Sequence, residues 1–257
     1  MDMIFAILPL HLFLIALAIA FVAGVIKGIV GFAMPMIFLS GLSSFTAPDA
    51  ALAALIVPTL VTNGMQAFRF GLHEVGATIV RFRYFLIVGG ITILGAAQLV
   101  PVMPTQILLL AIGLAVTGFA LWQISGVAPP PGSVIQSRKL DVLFGAFSGF
   151  VGGISGIWGP PTVAYLTVIG TEKRQQMLAQ GVIYGLGAVL LLVGHLKSGV
   201  LNTTTAPLSF AVLPPAILGM WLGGRVSDKF DQALFRKITL WALIFGGLNL
   251  LRRGVFG

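Results

Sequence analysis

The stretch Gly24-Val-Ile-Lys-Gly-Ile-Val-Gly-Phe-Ala-Met-Pro35 decides the fold, because three glycines and a closing proline interrupt an otherwise apolar run. A second stretch 125 positions later, Gly149-Phe-Val-Gly-Gly-Ile-Ser-Gly-Ile-Trp-Gly-Pro160, repeats its glycine and proline pattern. Glycine and proline weaken or end helices, so each stretch predicts a helix that breaks and restarts. We therefore divide the chain into a first membrane repeat at 1–125, a proline-rich linker at 126–140 and a second membrane repeat at 141–257.

The composition of the 257-residue chain is that of a membrane protein. It is 58% hydrophobic and 9% charged, with a mean hydropathy of +1.05. Soluble domains carry about 25% charged residues, so the low charge argues against a soluble globular protein. Disordered chains are poor in apolar residues, so disorder is excluded. The sequence predicts an all-α polytopic membrane protein with two inverted-topology repeats, each a broken-helix hairpin plus three transmembrane helices.

Ten apolar segments are predicted, and two of them are too short to span a bilayer. Residues 35–46 reach about 18 Å as a helix, against a hydrocarbon core of about 30 Å, and 160–170 is similar. The first segment has no basic residues before it, so we expect a retained span and not a cleaved signal. The full set is 8–30, 35–46, 50–69, 79–99, 104–124, 141–157, 160–170, 176–197, 208–225 and 233–251.

Further matches follow in the same order along the two halves. Ile93-Leu94-Gly95 corresponds to Ile217-Leu218-Gly219, and Gly71 falls opposite Gly199. The alternative explanation is that small-residue helix packing recurs in both halves without common origin.

The basic residues favour one orientation of the halves. Three full spans after each hairpin would make the repeats inverted and place eleven basic residues on one side against three. Four full spans in each half would make them parallel and split the same residues eight against six. Because positive charge concentrates in cytoplasmic loops, the inverted arrangement is preferred, although it leaves Arg252 and Arg253 outside.

Broken helices in inverted repeats are typical of secondary transporters, which bind substrate near the membrane midplane. Pro35, and Pro160 or Pro161, suit the first position of the two short helices. Helix N-termini offer N–H groups and a partial positive charge, which together bind oxyanions. We expect five glycines to let the backbone approach the substrate closely: Gly28, Gly31, Gly153, Gly156 and Gly159.

Lys27 is the one strongly charged residue that we place deep in an apolar segment. Burying it costs roughly 2.5–3.5 kcal/mol, which indicates a purpose or a partner. It supplies a full positive charge to an anion, or else it snorkels or binds helix carbonyls. Its counterpart in the second half is Gly152, so the halves would contribute unequally.

Polar residues within two helical turns of one another, Thr59, Thr62, Asn63 and Gln66, either line a substrate path or bond neighbouring helices. Trp158 either closes over the site or packs into the bundle, and Gln98, Gln180 and Tyr184 have weaker claims. The predicted substrate-binding set is Lys27, Gly28, Gly31, Met34, Pro35, Asn63, Gln66, Ser155, Gly156, Trp158, Gly159 and Pro160.

Several classes of site have no sequence signal. All seven acidic residues fall at predicted segment ends or loops, which argues against a cation pump built on a membrane carboxylate. No metal-ligand spacing, phosphate loop or nucleophile elbow occurs, so we predict no catalytic residue, metal or cofactor. We interpret the net charge of +8 as basic residues in cytoplasmic loops that set the membrane topology, and we predict no nucleic-acid partner. The expected partners are a small anion and membrane lipids, with the oligomeric state left open.

Three stretches resemble the sulfite exporter TauE/SafE family, also called the toluene-sulfonate uptake permease family. They are Gly24–Pro35, the second quoted stretch in the longer form Gly145–Pro161, and Ile217–Arg225. The resemblance covers essentially the whole chain. It implies a multi-pass carrier in the bacterial inner membrane for sulfite, a sulfonate or a related anion. The family's G-x-G-G run before proline is replaced here by Gly-Phe-Ala-Met-Pro and Gly-Ile-Trp-Gly-Pro-Pro, which bears on the substrate more than on the fold. An anion channel and a non-transporting membrane scaffold are the alternatives.

Overall fold

The computed structural model describes residues 8–127, 132–226 and 232–256, and within these ranges every regular secondary-structure element is a helix. This confirms the predicted all-α polytopic membrane fold. Within the same ranges, six stretches are long and apolar enough to cross a membrane: Leu10–Ile29, Pro48–Phe68, Arg83–Val102, Thr105–Ile124, Arg174–Ser198 and Ala206–Val226.

The helices fall into two series with the same order of long and short elements. The first series is α1 (Leu10–Val30), α2 (Met34–Leu42), α3 (Pro48–Phe68), α4 (Leu72–Arg81), α5 (Arg83–Ala97) and α6 (Thr105–Ile124). The second series is α7 (Arg138–Ser155), α8 (Gly159–Val168), α9 (Lys173–Ser198), α10 (Ala206–Ala211), α11 (Leu213–Val226) and α12 (Gln232–Phe256). A 3₁₀ turn at Val100–Val102 follows α5.

Most predicted segments lie within a few residues of a helix, but two of them are divided. The segment predicted at 79–99 contains the end of α4 and all of α5, and the segment at 208–225 contains the junction of α10 and α11. Of the residues in α4, only Thr78 is buried, and the polar and apolar side chains lie on opposite faces. A search for continuous apolar runs misses such an amphipathic helix, because its average hydropathy is low.

Part of the predicted linker, 128–131, lies outside the described residues. Two of its described residues contact the end of α8, where the Gly132 N–H donates to the Thr167 carbonyl and the Val134 N–H to the Val168 carbonyl, at 3.4 and 3.2 Å. Residues 138–140 belong to α7.

The breaks after α1 and α7 have the same backbone geometry. Gly31 and Gly156 both adopt the left-handed region, with φ of +82° and +68°. Their N–H groups donate to the carbonyls of Lys27 and Gly152, at 2.8 and 2.7 Å. A left-handed glycine that follows the last helical residue is a common helix ending, because only glycine adopts this conformation without strain.

Equivalent helices of the two series have equivalent packing partners. The helix pairs with the most extensive contacts are α1 with α11, α7 with α5, α3 with α9, and α6 with α12. Exchanging the first series for the second maps α1–α11 onto α7–α5 and maps each of the other two pairs onto itself. Contacts between the two series therefore follow an approximate two-fold symmetry.

The glycines of α1 and α7 serve this packing. A Cβ at Gly28 would overlap the Met220 carbonyl oxygen in α11, and a Cβ at Gly153 would lie 2.6 Å from the Ile93 carbonyl oxygen in α5. Met220 and Ile93 are thus equivalent positions, 127 residues apart. The sequence match of Ile93–Gly95 with Ile217–Gly219 pairs residues that are 124 positions apart, so it differs by three residues from the pairing that the structure shows. Its glycines differ accordingly, since Gly95 faces open space and Gly219 packs against α1.

Candidate functional site

Lys27 is 2% exposed, near the end of α1. Its ammonium donates to Oγ1 of Thr62 at 2.9 Å and to Oδ1 of Asn63. Both partners are neutral oxygens, so they satisfy N–H groups without cancelling a positive charge. The cost of burying that charge is lowered by hydrogen bonds, while its attraction for an anion is retained.

The partners of Lys27 come from the polar face of α3, where Thr59, Thr62, Asn63 and Gln66 follow the spacing of one helix face and are all buried. The amide of Asn63 donates to the Tyr184 carbonyl at 3.2 Å, which connects α3 to α9. The polar face of α3 therefore bonds a neighbouring helix, the second alternative that the sequence left open, and it also holds Lys27.

A small cavity next to Lys27 brings the two breaks together. One wall comes from the break after α1 and another from the break after α7. Its volume of about 20 Å³ holds roughly one water molecule, which is too little for an oxyanion, so the site is closed in this conformation. The lining residues are Lys27, Phe32, Ala33, Pro35, Met36, Asn63, Ile157, Trp158, Gly159 and Tyr184.

The two short helices offer different numbers of N–H donors at this cavity. Helix α2 begins at Met34, so Pro35 occupies the second position and not the first as predicted. Met34 and Met36 keep their N–H groups. Helix α8 begins at Gly159, and Pro160 and Pro161 follow it. Because proline has no N–H, α8 supplies only the Gly159 donor in these three positions, so the two helix tips are not equivalent.

Trp158 forms part of the wall of the closed cavity. It is buried, its ring packs against Tyr184 with centroids 6.3 Å apart, and a Cβ at Gly152 would lie 2.6 Å from the ring. Its carbonyl accepts hydrogen bonds from the hydroxyls of Ser148 and Thr162, at 3.2 and 2.8 Å. Trp158 is thus fixed by contacts on both its side chain and its backbone.

Five members of the predicted set line the cavity: Lys27, Pro35, Asn63, Trp158 and Gly159. Met34 lies beside them, with its sulfur 3.6 Å from Oγ1 of Thr62. Gly31 and Gln66 lie close to each other and to Gln180, since a Cβ at Gly31 would be 3.6 Å from Gln66 Nε2 and 3.5 Å from Gln180 Oε1.

The remaining predicted residues shape the surroundings. Gly28 packs against α11, so its lack of a side chain serves helix packing and not substrate approach. Ser155 donates to the Val151 carbonyl at 2.7 Å and accepts from the Ile157 N–H at 3.2 Å, which fixes the second break. Gly156 faces Leu52 and Leu55 of α3. Pro160 lines a different groove, which is formed with α6 and α7.

The predicted set omits five cavity residues: Phe32, Ala33, Met36, Ile157 and Tyr184. Tyr184 had a usable signal, because it follows Gln180 by four positions and so shares a face of α9 with it. Ala33 had none. It has a φ of +73°, the one positive value at a non-glycine residue within the described ranges, and such strain often marks functional sites.

Asp141 is at a segment end, as predicted, but its burial was not anticipated. It accepts hydrogen bonds from the Tyr165 hydroxyl and, at 3.3 Å, from Gln136. The Tyr165 ring stacks on Phe144, with centroids 5.1 Å apart. This contact joins α7 to α8 away from the cavity. Among residues 8–127, 132–226 and 232–256, no group of three or more His, Cys, Asp or Glu side chains could hold a metal ion.

A family model described as sulfite exporter TauE/SafE matches residues 16–250, a span that includes Lys27, the polar face of α3 and both breaks. Neither the curated proteins nor the solved structures compared with the chain give a match.

Proposed function

Because the chain belongs to the sulfite exporter TauE/SafE family, we propose that it is a secondary transporter that moves a small sulfur-containing anion, such as sulfite or a sulfonate, across the bacterial inner membrane by alternating access. Members of this family are membrane transporters, and this chain is a multi-pass membrane protein. The observation that carries the proposal is the cavity where Lys27 meets both helix breaks.

Each part of the cavity has a role in binding an anion. The Lys27 ammonium supplies the positive charge, and Thr62 and Asn63 hold it in place. The N–H groups of Met34, Met36 and Gly159 add donors at the ends of two helices, where the helix dipole also favours negative charge. Such interactions are stronger inside the protein than in water, because the effective dielectric constant is lower.

The closed cavity and the approximate symmetry support alternating access. We take 1–125 and 141–257 as repeats of inverted topology, the arrangement that the positive-inside rule favours. Rocking of one repeat against the other would open the cavity first to one side of the membrane and then to the other. The surfaces across which the halves would move are the contacts of α1 with α11, α5 with α7, α3 with α9 and α6 with α12.

Counterflow in proteoliposomes tests this proposal. Vesicles loaded with unlabelled sulfite should accumulate labelled sulfite transiently above its equilibrium level, because a carrier exchanges one anion for another. A channel would equilibrate the label without this overshoot, and a scaffold would move none. Either of those results would contradict the proposal.

A further inference from the structure

Two buried glutamines have carboxamide oxygens that accept no hydrogen bond. They are Gln66 on α3 and Gln180 on α9, which are 2% and 3% exposed. A buried acceptor without a donor is costly, and such groups in native proteins call for an explanation. A ligand that brings its own donor removes this cost.

The orientation of the Gln66 amide is fixed by its surroundings. Its Nε2 donates to the Met177 carbonyl oxygen at 3.2 Å. Turning the amide over would place its oxygen against that carbonyl oxygen, so the hydrogen-bond network assigns the open position to Oε1. The unsatisfied group at Gln66 is therefore an acceptor.

The glutamines lie next to the proposed anion site. Gln66 is one helical turn, about 5.4 Å, from Thr62 and Asn63, which hold the Lys27 ammonium. Gln180 is one turn from the cavity residue Tyr184. The Gly31 N–H bonds the Lys27 carbonyl, and the absent Gly31 side chain leaves both amides facing this break.

We propose that Gln66 and Gln180 accept hydrogen bonds from the transported anion as it reaches Lys27, so that the carrier selects singly charged anions with an O–H or N–H group. Hydrogensulfite and hydroxyalkyl or aminoalkyl sulfonates have this chemistry. The inference rests on the proposed function and specifies its substrate class.

The charge of the site supports the same class. Lys27 is the one buried Lys or Arg among the side chains that the structure describes. A monoanion would match its single charge. A dianion would leave an uncompensated negative charge inside the membrane, beside the Gln66 amide oxygen that repels it.

Two sulfonates with the same number of heavy atoms and the same charge test the inference. Hydroxymethanesulfonate has a hydroxyl where ethanesulfonate has a methyl group. Calorimetric titration of the purified protein should show about tenfold tighter binding of hydroxymethanesulfonate, the effect of one net hydrogen bond. Gln66→Met and Gln180→Met keep side-chain length but remove the acceptor, so each should lower this ratio and the double variant should bring it close to one.

Thr117→Val is the matched control. It also removes a buried oxygen without a partner, but in α6 against α12, and it should keep the tenfold ratio. Equal affinities for the two sulfonates in the wild-type protein would overturn the inference, whether or not the variants fold. So would a ratio retained in both methionine variants, or binding of neither sulfonate by a protein that shows sulfite counterflow. Loss of sulfite counterflow as well would overturn the proposed function instead.

Discussion

The ammonium group of Lys27 in α1 donates a hydrogen bond to the Thr62 hydroxyl in α3 at 2.9 Å, deep inside the helix bundle. The Thr62 hydroxyl in turn donates to the Pro58 carbonyl at 2.7 Å, so its oxygen is oriented toward the lysine. This contact joins the first helix break to the polar face of α3. It explains how a charged side chain is tolerated here, and it leaves the charge available to an anion.

Replacing Lys27 by Met should abolish sulfite counterflow while the protein still folds. Methionine removes the cost of burying a charge, which offsets the loss of the hydrogen bonds that Lys27 donates to Thr62 and Asn63. Binding of the anion, however, loses its one full positive charge. The control is Lys197→Met, which removes an exposed lysine at the end of α9 and should retain counterflow. Normal flux in the Lys27 variant would exclude this residue from the site.

Gly156→Ala should impair transport more than Gly199→Ala. Both glycines follow the last residue of a helix and have positive φ values, +68° and +80°, so alanine costs about 1–2 kcal/mol of backbone strain at either position. A Cβ at Gly156 would also lie 3.0 Å from Leu55 of α3, whereas at Gly199 nothing lies within 4 Å. The midpoint of thermal unfolding should fall by a similar amount in both variants, whereas the rate of counterflow should fall mainly in Gly156→Ala. Equal counterflow in the two variants would show that the second break does not need this geometry.

Gly28→Ala should destabilise the fold through helix packing. A Cβ at Gly28 would overlap the backbone of α11, which would push the two helices apart. Gly64→Ala on α3 is the comparison, because nothing lies within 4 Å there. That variant should be neutral or gain up to about 1 kcal/mol from helix propensity. Thermal unfolding in detergent measures both, and an unchanged midpoint for Gly28→Ala would contradict the close packing of α1 on α11.

Tyr165→Phe should lower the free energy of unfolding by about 1–3 kcal/mol, because Asp141 then loses a donor while it stays buried. Combining it with Asp141→Asn should cost less than the sum of the two single changes, since both remove the same interaction. Denaturant titration of the four proteins gives this coupling. Full additivity would mean that the hydroxyl and the carboxylate do not interact.

Much of the backbone plan could be predicted from the sequence. The breaks were predictable because Gly31 and Gly156 occupy equivalent places before a proline, and helix endings of this type require glycine. Lys27 could be singled out because a lone charge in an apolar segment is expensive. Its partners were also within reach, since Thr62 and Asn63 share one helix face.

Other features of the site could not be predicted, because they depend on tertiary contacts and the local sequence does not indicate them. Gly28 appeared suited to a close substrate approach, but its empty side is filled by α11, a helix almost 200 residues away in the chain. Ala33 lines the cavity through a backbone conformation that its own side chain disfavours. Helices α2 and α8 have different numbers of N–H donors in their first turns because each starts at a different position relative to its prolines. A shift of one residue in the helix start changes the number of donors.

A crystal structure with bound selenite tests the central claim most directly, because selenite resembles sulfite and selenium scatters anomalously. The account predicts an anomalous peak close enough to Nζ of Lys27 for its oxygens to accept hydrogen bonds, at about 3 Å. The peak should lie between the break at Ala33 and the break at Gly159. A fully occupied peak elsewhere in the bundle, with none beside Lys27, would contradict it.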